Sequence, residues 1–444
     1  MKNNLKKILP FNFLFLLGMF ACTSESRNHE THQQAYDQMI SVRLTAEGVD
    51  ASGPYLTYDH ERNPVLCWTE ALPEGKGHVL RYAVFNAATE AFGETVTVIP
   101  SSVTRAHPES MNKVAFKADG TVVAIFSLKH ATKENPFAGS ILYTLSTDEG
   151  KNWADAEFIH SDTLPDYGRG YFDLAPLPNG EVGAVWIDGR NSGGLGSAIF
   201  FASTTKGEGF GADQQIGEST CECCRTDIYV DRNGRIHVAY RDITFPVVQM
   251  GKQVRDMSYT YSDDLGKSFT KPIGLSADNW SIEGCPHTGP SLASNEQGLQ
   301  VVWFTEGGGT GVYYTSSADH GSSFAPRQKI SGDARFPQMA TLPSEEIVMV
   351  WNESKSTGKQ GQEAEASPPH HGAKAGTSFS SQIQLQLRNK NNVSSTFQLT
   401  AADGHASHPV VIPVEERKIL IAWTRVDTAG SFIEYQAVDL DRIE

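Results

Sequence analysis

The chain has 444 residues and a formal net charge of −15 at pH 7. Such acidity disfavours nonspecific nucleic acid binding, so no nucleic acid partner is expected. The length allows a large core, as two or three ordinary domains or as one repeat architecture. The first residues, MKNNLKKILPFNFLFLLGMFAC, are a basic segment followed by an apolar run that ends at Cys22. The run is too short for an ordinary transmembrane helix and reads as an export signal. No later stretch is long and apolar enough to span a bilayer, so the body is expected as a soluble domain outside the cytoplasm.

Residues Met19 to Cys22 resemble the lipobox of bacterial lipoproteins. The resemblance implies that 1–22 is a signal peptide, that Cys22 carries the lipid, and that 23–36 is a polar tether. The protein is then expected at the bacterial cell envelope, meeting the membrane only through that anchor. A cleaved secretory signal without lipid is the alternative.

Next come the repeats. STDEGKNW from Ser146, STTKGEGF from Ser203, SDDLGKSF from Ser262 and SADHGSSF from Ser317 share one plan, and their starts lie 57, 59 and 55 residues apart. In each, a hairpin turn is expected in which the Asp carboxylate accepts backbone N–H groups, Gly takes the strained φ and the aromatic packs beneath. A broader repeat runs from an extended segment through a turn to an apolar strand that ends in an aromatic: Trp68, Phe126, Trp186, Tyr240, Trp303, Trp351 and Trp423. Even spacing of this kind signals units that pack on their neighbours, and the β-branched and aromatic content argues strands. An all-β propeller over 37–444 follows, a single domain and a monomer, with seven blades favoured and six as the alternative. The segment from Gln38 is expected to complete the last blade and close the ring.

The four turns resemble the Asp boxes, or BNR repeats, of the sialidase superfamily. That resemblance implies a six-bladed fold, three arginines on the sialic acid carboxylate, an aspartate acid/base, and a tyrosine nucleophile assisted by a glutamate. RFP at Arg335 to Pro337 is similar to the family's Arg-Ile-Pro, although it lies in the sixth unit and not in the first. DGR at Asp188 to Arg190 resembles the acid/base loop. Arg105, Arg169, Arg225, Arg241 and Arg255 lie near strand ends, and Tyr171, Tyr240 and Glu283 are available for the Tyr/Glu pair. The candidate catalytic set is Asp188, Arg190, Arg335, Arg225 and Tyr171. The implied activity is exo-α-sialidase-like hydrolysis of sialylated or related acidic glycans. The alternatives are a non-catalytic propeller that binds a glycan or a cell-envelope protein, and a metal-binding propeller.

The third class rests on CECCRTD at residues 221–227 and CPH at 285–287. Both motifs precede the innermost strands of neighbouring units, which brings Cys221, Cys223, Cys224, Cys285 and His287 to one rim. Soft sulfur with imidazole suits Zn²⁺ or Cu⁺. One or two structural disulfides are a competing reading, since an exported chain meets oxidising conditions, and free thiols are a third. His107, His405 and His408 belong to the same rim, with Tyr171 and Asp173 as further contacts. Cys67, inside NPVLCW, is expected to be a small buried hydrophobe. The polar segment at about 353–376, with His370 and His371, cannot bury a core and reads as a mobile loop over the rim.

Overall fold

The computed structural model describes residues 41–443, apart from 191–195, 244, 250–251, 283, 357–378, 391 and 402–403. Cys22, the tether, Glu283, His370, His371 and most of the expected loop therefore lie outside the described residues. No helix among the described residues is long and apolar enough to cross a membrane.

The described chain is built of strands. The innermost are β1 (Ala51–Tyr58), β2 (Lys113–Phe116), β3 (Arg169–Pro176), β4 (Asp227–Val230), β5 (Ser291–Asn295), β6 (Ala334–Thr341) and β7 (His405–Glu415). They succeed one another around an axis, and β7 packs back against β1. From β1 to β5, each is the first strand of a small antiparallel sheet of four or five strands.

The expected closed propeller of seven blades, or six in the sialidase-like alternative, is corrected by the sheet connectivity. The arrangement is a propeller-like ring of five small sheets, accompanied by an eight-stranded and a three-stranded sheet. None of these sheets closes by hydrogen bonds. The eight-stranded sheet takes in both β6 and β7, whose units were expected to form separate blades. They join where Ser381 of the strand Phe379–Arg388 bridges His405 of β7 in parallel. The N-terminal strand Val42–Arg43 pairs with Gly430–Asp439 at two positions only, which caps an edge of that sheet and does not lace the ring shut. The joints between sheets are made largely by side chains, with a few backbone bonds such as Ala118 N–H to Gly180 O at 2.9 Å.

Those joints explain the repeat. Trp68, Trp186, Tyr240, Trp303, Trp351 and Trp423 are all buried. Trp186 packs with Ala115, Val123 and Ile125 of the preceding sheet, and Trp68 with Leu420 and Ala422 across the joint between the last strands and the first. A large flat ring fills such a wedge between two twisted sheets, which is why an aromatic recurs at the unit's end.

The serine turns lie between third and fourth strands. Ser146 Oγ donates to Asp148 Oδ1 at 2.9 Å and accepts from Gly150 N–H at 2.8 Å, and Asp148 accepts from Asn152 N–H at 2.8 Å. Ser262 with Asp264 and Ser317 with Asp319 repeat the pattern, each at 2.7 Å. The second turn has Thr205 in place of the aspartate. The glycine does more than turn the chain. Gly321 has φ +95, and a Cβ there would fall 2.3 Å from Tyr259 Oη of the preceding sheet. Gly321→Ala is expected to cost about 2 kcal/mol from overpacking plus backbone strain, measured as a lowered urea midpoint.

At the axis the inner strands share a local distortion. Ladder register breaks between Ser52 and Tyr55, Gly170 and Asp173, Arg335 and Gln338, and Ser407 and Val410. Within these bulges Tyr171 (φ 53), Phe336 (φ 52) and His408 (φ 54) are left-handed, and His287 (φ 48) is so just before β5. Bulky side chains rarely adopt this conformation, and a bulge re-aims the side chain it carries.

Candidate functional site

Cys221 to Cys224 lead into β4, and Cys285 to His287 lead into β5. The first segment is pinned by Cys221 N–H, which donates to Arg241 O at 3.0 Å. Cys221, Cys223 and Cys224 are buried; Cys285 is half-buried and packs against them with Tyr171. Cys221 Sγ is 3.2 Å from Cys224 Sγ and 3.8 Å from Cys223 Sγ. All five described cysteines are free thiols, Cys67 among them. Cys67 is enclosed in the core, and burial pushes its thiol up to about 12.

Cys221, Cys223 and Cys224 bring their sulfurs within 4.8 Å of one another, and Cys223, Cys285 and His287 do the same. The cluster is thus capable of coordinating a metal ion, and its donor set of thiolates and one imidazole matches Zn²⁺ or Cu⁺. Arg255, whose role the sequence did not reveal, donates from Nη1 to Cys221 Sγ at 3.1 Å and pairs with Glu222 at 3.1 Å. Burial pushes the Cys221 thiol up, but its hydrogen bonding with Cys223 and Cys224 and the Arg255 charge outweigh it and hold the thiol well below its ordinary value. The Cys223 thiol is pushed up, chiefly by its side-chain interactions with Cys221, Cys224 and Cys285.

Beside the thiols lies the mouth of the axis. His107 Nδ1 accepts from the backbone N–H groups of Glu109 and Ser110 at 3.2 and 3.0 Å. Its ring lies 5.5 Å from that of Tyr171 and 6.1 Å from that of His287, linking the mouth to the cluster. His408 stacks on Phe336 at 4.0 Å and sets Nε2 3.4 Å from Glu109 Oε1. Burial, with Arg225 and His107 nearby, pushes His408 down to about 3, so the ring is neutral. Arg225 approaches Glu109 at 3.8 Å, and Gln338, with its amide oxygen turned inward, accepts from both Arg225 Nη atoms at 3.1 Å.

Other expected residues go elsewhere. Asp188 is fully buried in an ion-pair network: it accepts from Arg169 Nε and pairs with Arg190 Nε, both at 3.1 Å, and Arg190 continues to Asp213. Arg335 pairs with Glu306 at 3.4 Å and lies over the ring of Phe304, which belongs to the preceding sheet. Of the candidate catalytic set, then, the structure brings Arg225 and Tyr171 to the mouth, while Asp188 with Arg190 and Arg335 each sit in separate contacts. His405 is exposed at the joint inside the eight-stranded sheet.

Below the mouth lies a charged floor, of which the sequence singles out Asp173 and Arg225 but not Lys113 or Asp227. Lys113 Nζ donates to Asp173 Oδ1 and to Phe172 O, both at 2.7 Å. Asp173 Oδ2 accepts from Ile228 N–H at 3.0 Å and Asp227 Oδ2 from Leu292 N–H at 2.6 Å, so each carboxylate ties one inner strand to the next. Burial and the neighbouring Asp173 push the Asp227 carboxyl well above its usual range. A cavity on the axis is lined by Lys113, Asp173, Asp227 and Arg225 with Tyr55 and Met111. For Lys113 and Asp227 only the alternation of each inner strand could have served as a pointer, and nothing in it separates an axial lysine from a solvated one.

No protein-family profile and no curated protein matches the sequence. Among solved structures, a protein of unknown function from Dyadobacter fermentans is 14% identical, with a TM-score of 0.50 over 91% of this chain and 99% of that one. The polysaccharide lyase Uly1 is 12% identical, with a TM-score of 0.52 over 92% and 95%. A mutant of NanB sialidase from Streptococcus pneumoniae is 8% identical, with a TM-score of 0.45 over 87% and 85%. The fold likeness is thus not specific to the sialidases, to which the serine turns were expected to point. By fold, the chain is a propeller-like all-β protein, similar in architecture to the polysaccharide lyase Uly1.

Proposed function

We propose that the protein is a metal-binding propeller of the cell envelope, whose Cys221, Cys223, Cys224, Cys285 and His287 hold a thiophilic ion, Zn²⁺ or Cu⁺, at the mouth of the axis. One observation carries this reading: two donor triads, drawn from two segments about 60 residues apart, converge on the same sulfur. The residues fit such an ion in hardness and number, and Arg255 offsets part of the thiolate charge. In an exported chain, tethered at Cys22, a bound ion would also protect vicinal thiols from oxidation. The ion would supply a fixed positive charge beside Tyr171 and His107; the chain's own part is to hold the thiolates together and shield them from water.

The test is metal removal. Protein purified without chelators is expected to carry Zn or Cu by elemental analysis. Added metal at 100-fold over Kd is expected to raise stability by about 3 kcal/mol, lifting Tm by several degrees. Absence of metal together with oxidised cysteines in a thiol titration would remove the proposal.

A second reading concerns the mouth. Tyr171, His107, His287, Phe336 and His408 surround it with ring faces, and such faces stack on sugar rings, while Arg225 favours an acidic glycan. The fold shared with a polysaccharide lyase supports a glycan as the partner. Sialidase-type hydrolysis is the finer form of this reading, and the enclosure of Asp188 among Arg169, Arg190 and Trp186 favours it less than simple binding.

A further inference from the structure

The five donors divide into two triads that share one atom. Cys221, Cys223 and Cys224 form the first, and Cys223, Cys285 and His287 the second, with the ligand atoms inside each triad within 4.8 Å of one another. Among the described residues no four of the five form such a group. The limit has a physical meaning. With metal–sulfur bonds of about 2.3 Å and metal–nitrogen bonds of about 2.0 Å, two donors on one ion stand about 3.8 Å apart in a tetrahedron and at most about 4.6 Å apart in a line. A single ion held by either triad therefore leaves the other triad's two remaining donors out of reach.

Resting on the metal-binding reading above, we propose that the cluster is a binuclear site: two Cu⁺ ions, one in each triad, bridged by the Cys223 thiolate. Sulfur can bridge because a thiolate keeps lone pairs after binding one ion, whereas a neutral imidazole such as His287 offers one lone pair, on one nitrogen, to one ion. Cys223 is the one donor common to both triads, and its Sγ lies 3.8 Å from Cys221 Sγ. The coordination number selects the metal. Each ion meets three donors, a set that suits soft monovalent copper, while structural Zn²⁺ closes with four. The two positions are unequal. Cys221 and Cys224 are buried behind Tyr171, while Cys285 and His287 are half-buried, so copper enters through the second triad and passes to the first over the shared sulfur. Arg255, 3.1 Å from Cys221 Sγ, offsets negative charge on the buried side, where water cannot.

The experiment is an anaerobic titration of the reduced full-length chain with Cu⁺, competed against a chromophoric Cu⁺ chelator. Two copper ions per chain are expected, with a copper–copper scattering path in X-ray absorption. Cys221→Ser and His287→Ala are each expected to leave one ion, and Cys223→Ser fewer than one. A wild-type stoichiometry of one, without copper–copper scattering, overturns the binuclear site and leaves the metal-binding reading standing. A stoichiometry of two with Zn²⁺ but none with Cu⁺ overturns the copper assignment. Binding of neither metal overturns both readings. Circular dichroism of each variant reports its fold, and the wild-type stoichiometry and scattering decide the question even if a variant misfolds.

Discussion

Asp188→Ala is expected to be among the most damaging single substitutions in the ring, costing about 3–5 kcal/mol and read as a large drop in the urea midpoint. The carboxylate has no exposed surface, and four groups depend on it: Arg169 Nε at 3.1 Å, Arg190 Nε at 3.1 Å, Arg190 N–H at 3.0 Å and Trp186 Nε1–H at 3.3 Å. Alanine would leave two buried guanidinium groups facing each other with part of their charge uncompensated. Arg190 would keep Asp213, and Arg169 would keep Asp162 at 3.5 Å, so the loss is large but not total. Asp188→Asn retains the shape and removes the charge, and a cost of about 2 kcal/mol is expected, near the value of hydrogen bonds to a charged group. If Asp188→Ala left the midpoint unchanged while abolishing glycan turnover, the aspartate would be a catalytic acid and this network would be incidental.

The same residue shows why parts of the site were legible and others were not. Asp-Gly-Arg is a short motif, and the sequence carries no sign that Asp213 and Asp162, from loops distant along the chain, will close over it. The serine turns are the opposite case: Ser, Asp and Gly bond to one another within a few residues, so their spacing alone dictates the geometry. The adjacency of CECC and CPH could also be inferred, because both segments lead into inner strands and successive inner strands are neighbours. Sheet connectivity could not. The eight-stranded sheet depends on one bridge, Ser381 to His405, between segments whose repeat signals are those of separate units. Nor could the sequence tell His405 from His408. They differ by three positions, and the bulge after Ser407 leaves one exposed while turning the other onto Phe336 and Glu109.

Glu109 was invisible for a related reason: HPES opens the second unit with polar residues that give no sign of burial, yet the carboxylate ends up buried, and neither of its oxygens accepts a hydrogen bond. Burial pushes it up to about 7 from 4.5, with Arg225 and Lys113 opposing. A carboxyl raised in the folded state binds its proton more tightly there than in the unfolded chain. Its contribution to stability is therefore fully present below about pH 4.5 and is lost as pH rises through 7. A rise of 2.5 units corresponds to about 3 kcal/mol at pH 8. Glu109→Gln keeps the shape without the charge, so the variant is expected to be flatter than wild type between pH 4.5 and 7.5 and more stable at pH 8. His408, neutral across this window, stays uncharged beside it in both proteins, and Arg225 stays charged in both. Asp242, pushed up to about 7 by its own burial, gives wild type and variant the same falling slope, which cancels in the difference. Urea titrations of the two proteins at pH 5 and pH 8 measure that difference directly. Parallel curves would mean that Glu109 is ionised in the folded state at both pH values, with the Arg225 charge compensating its burial in full.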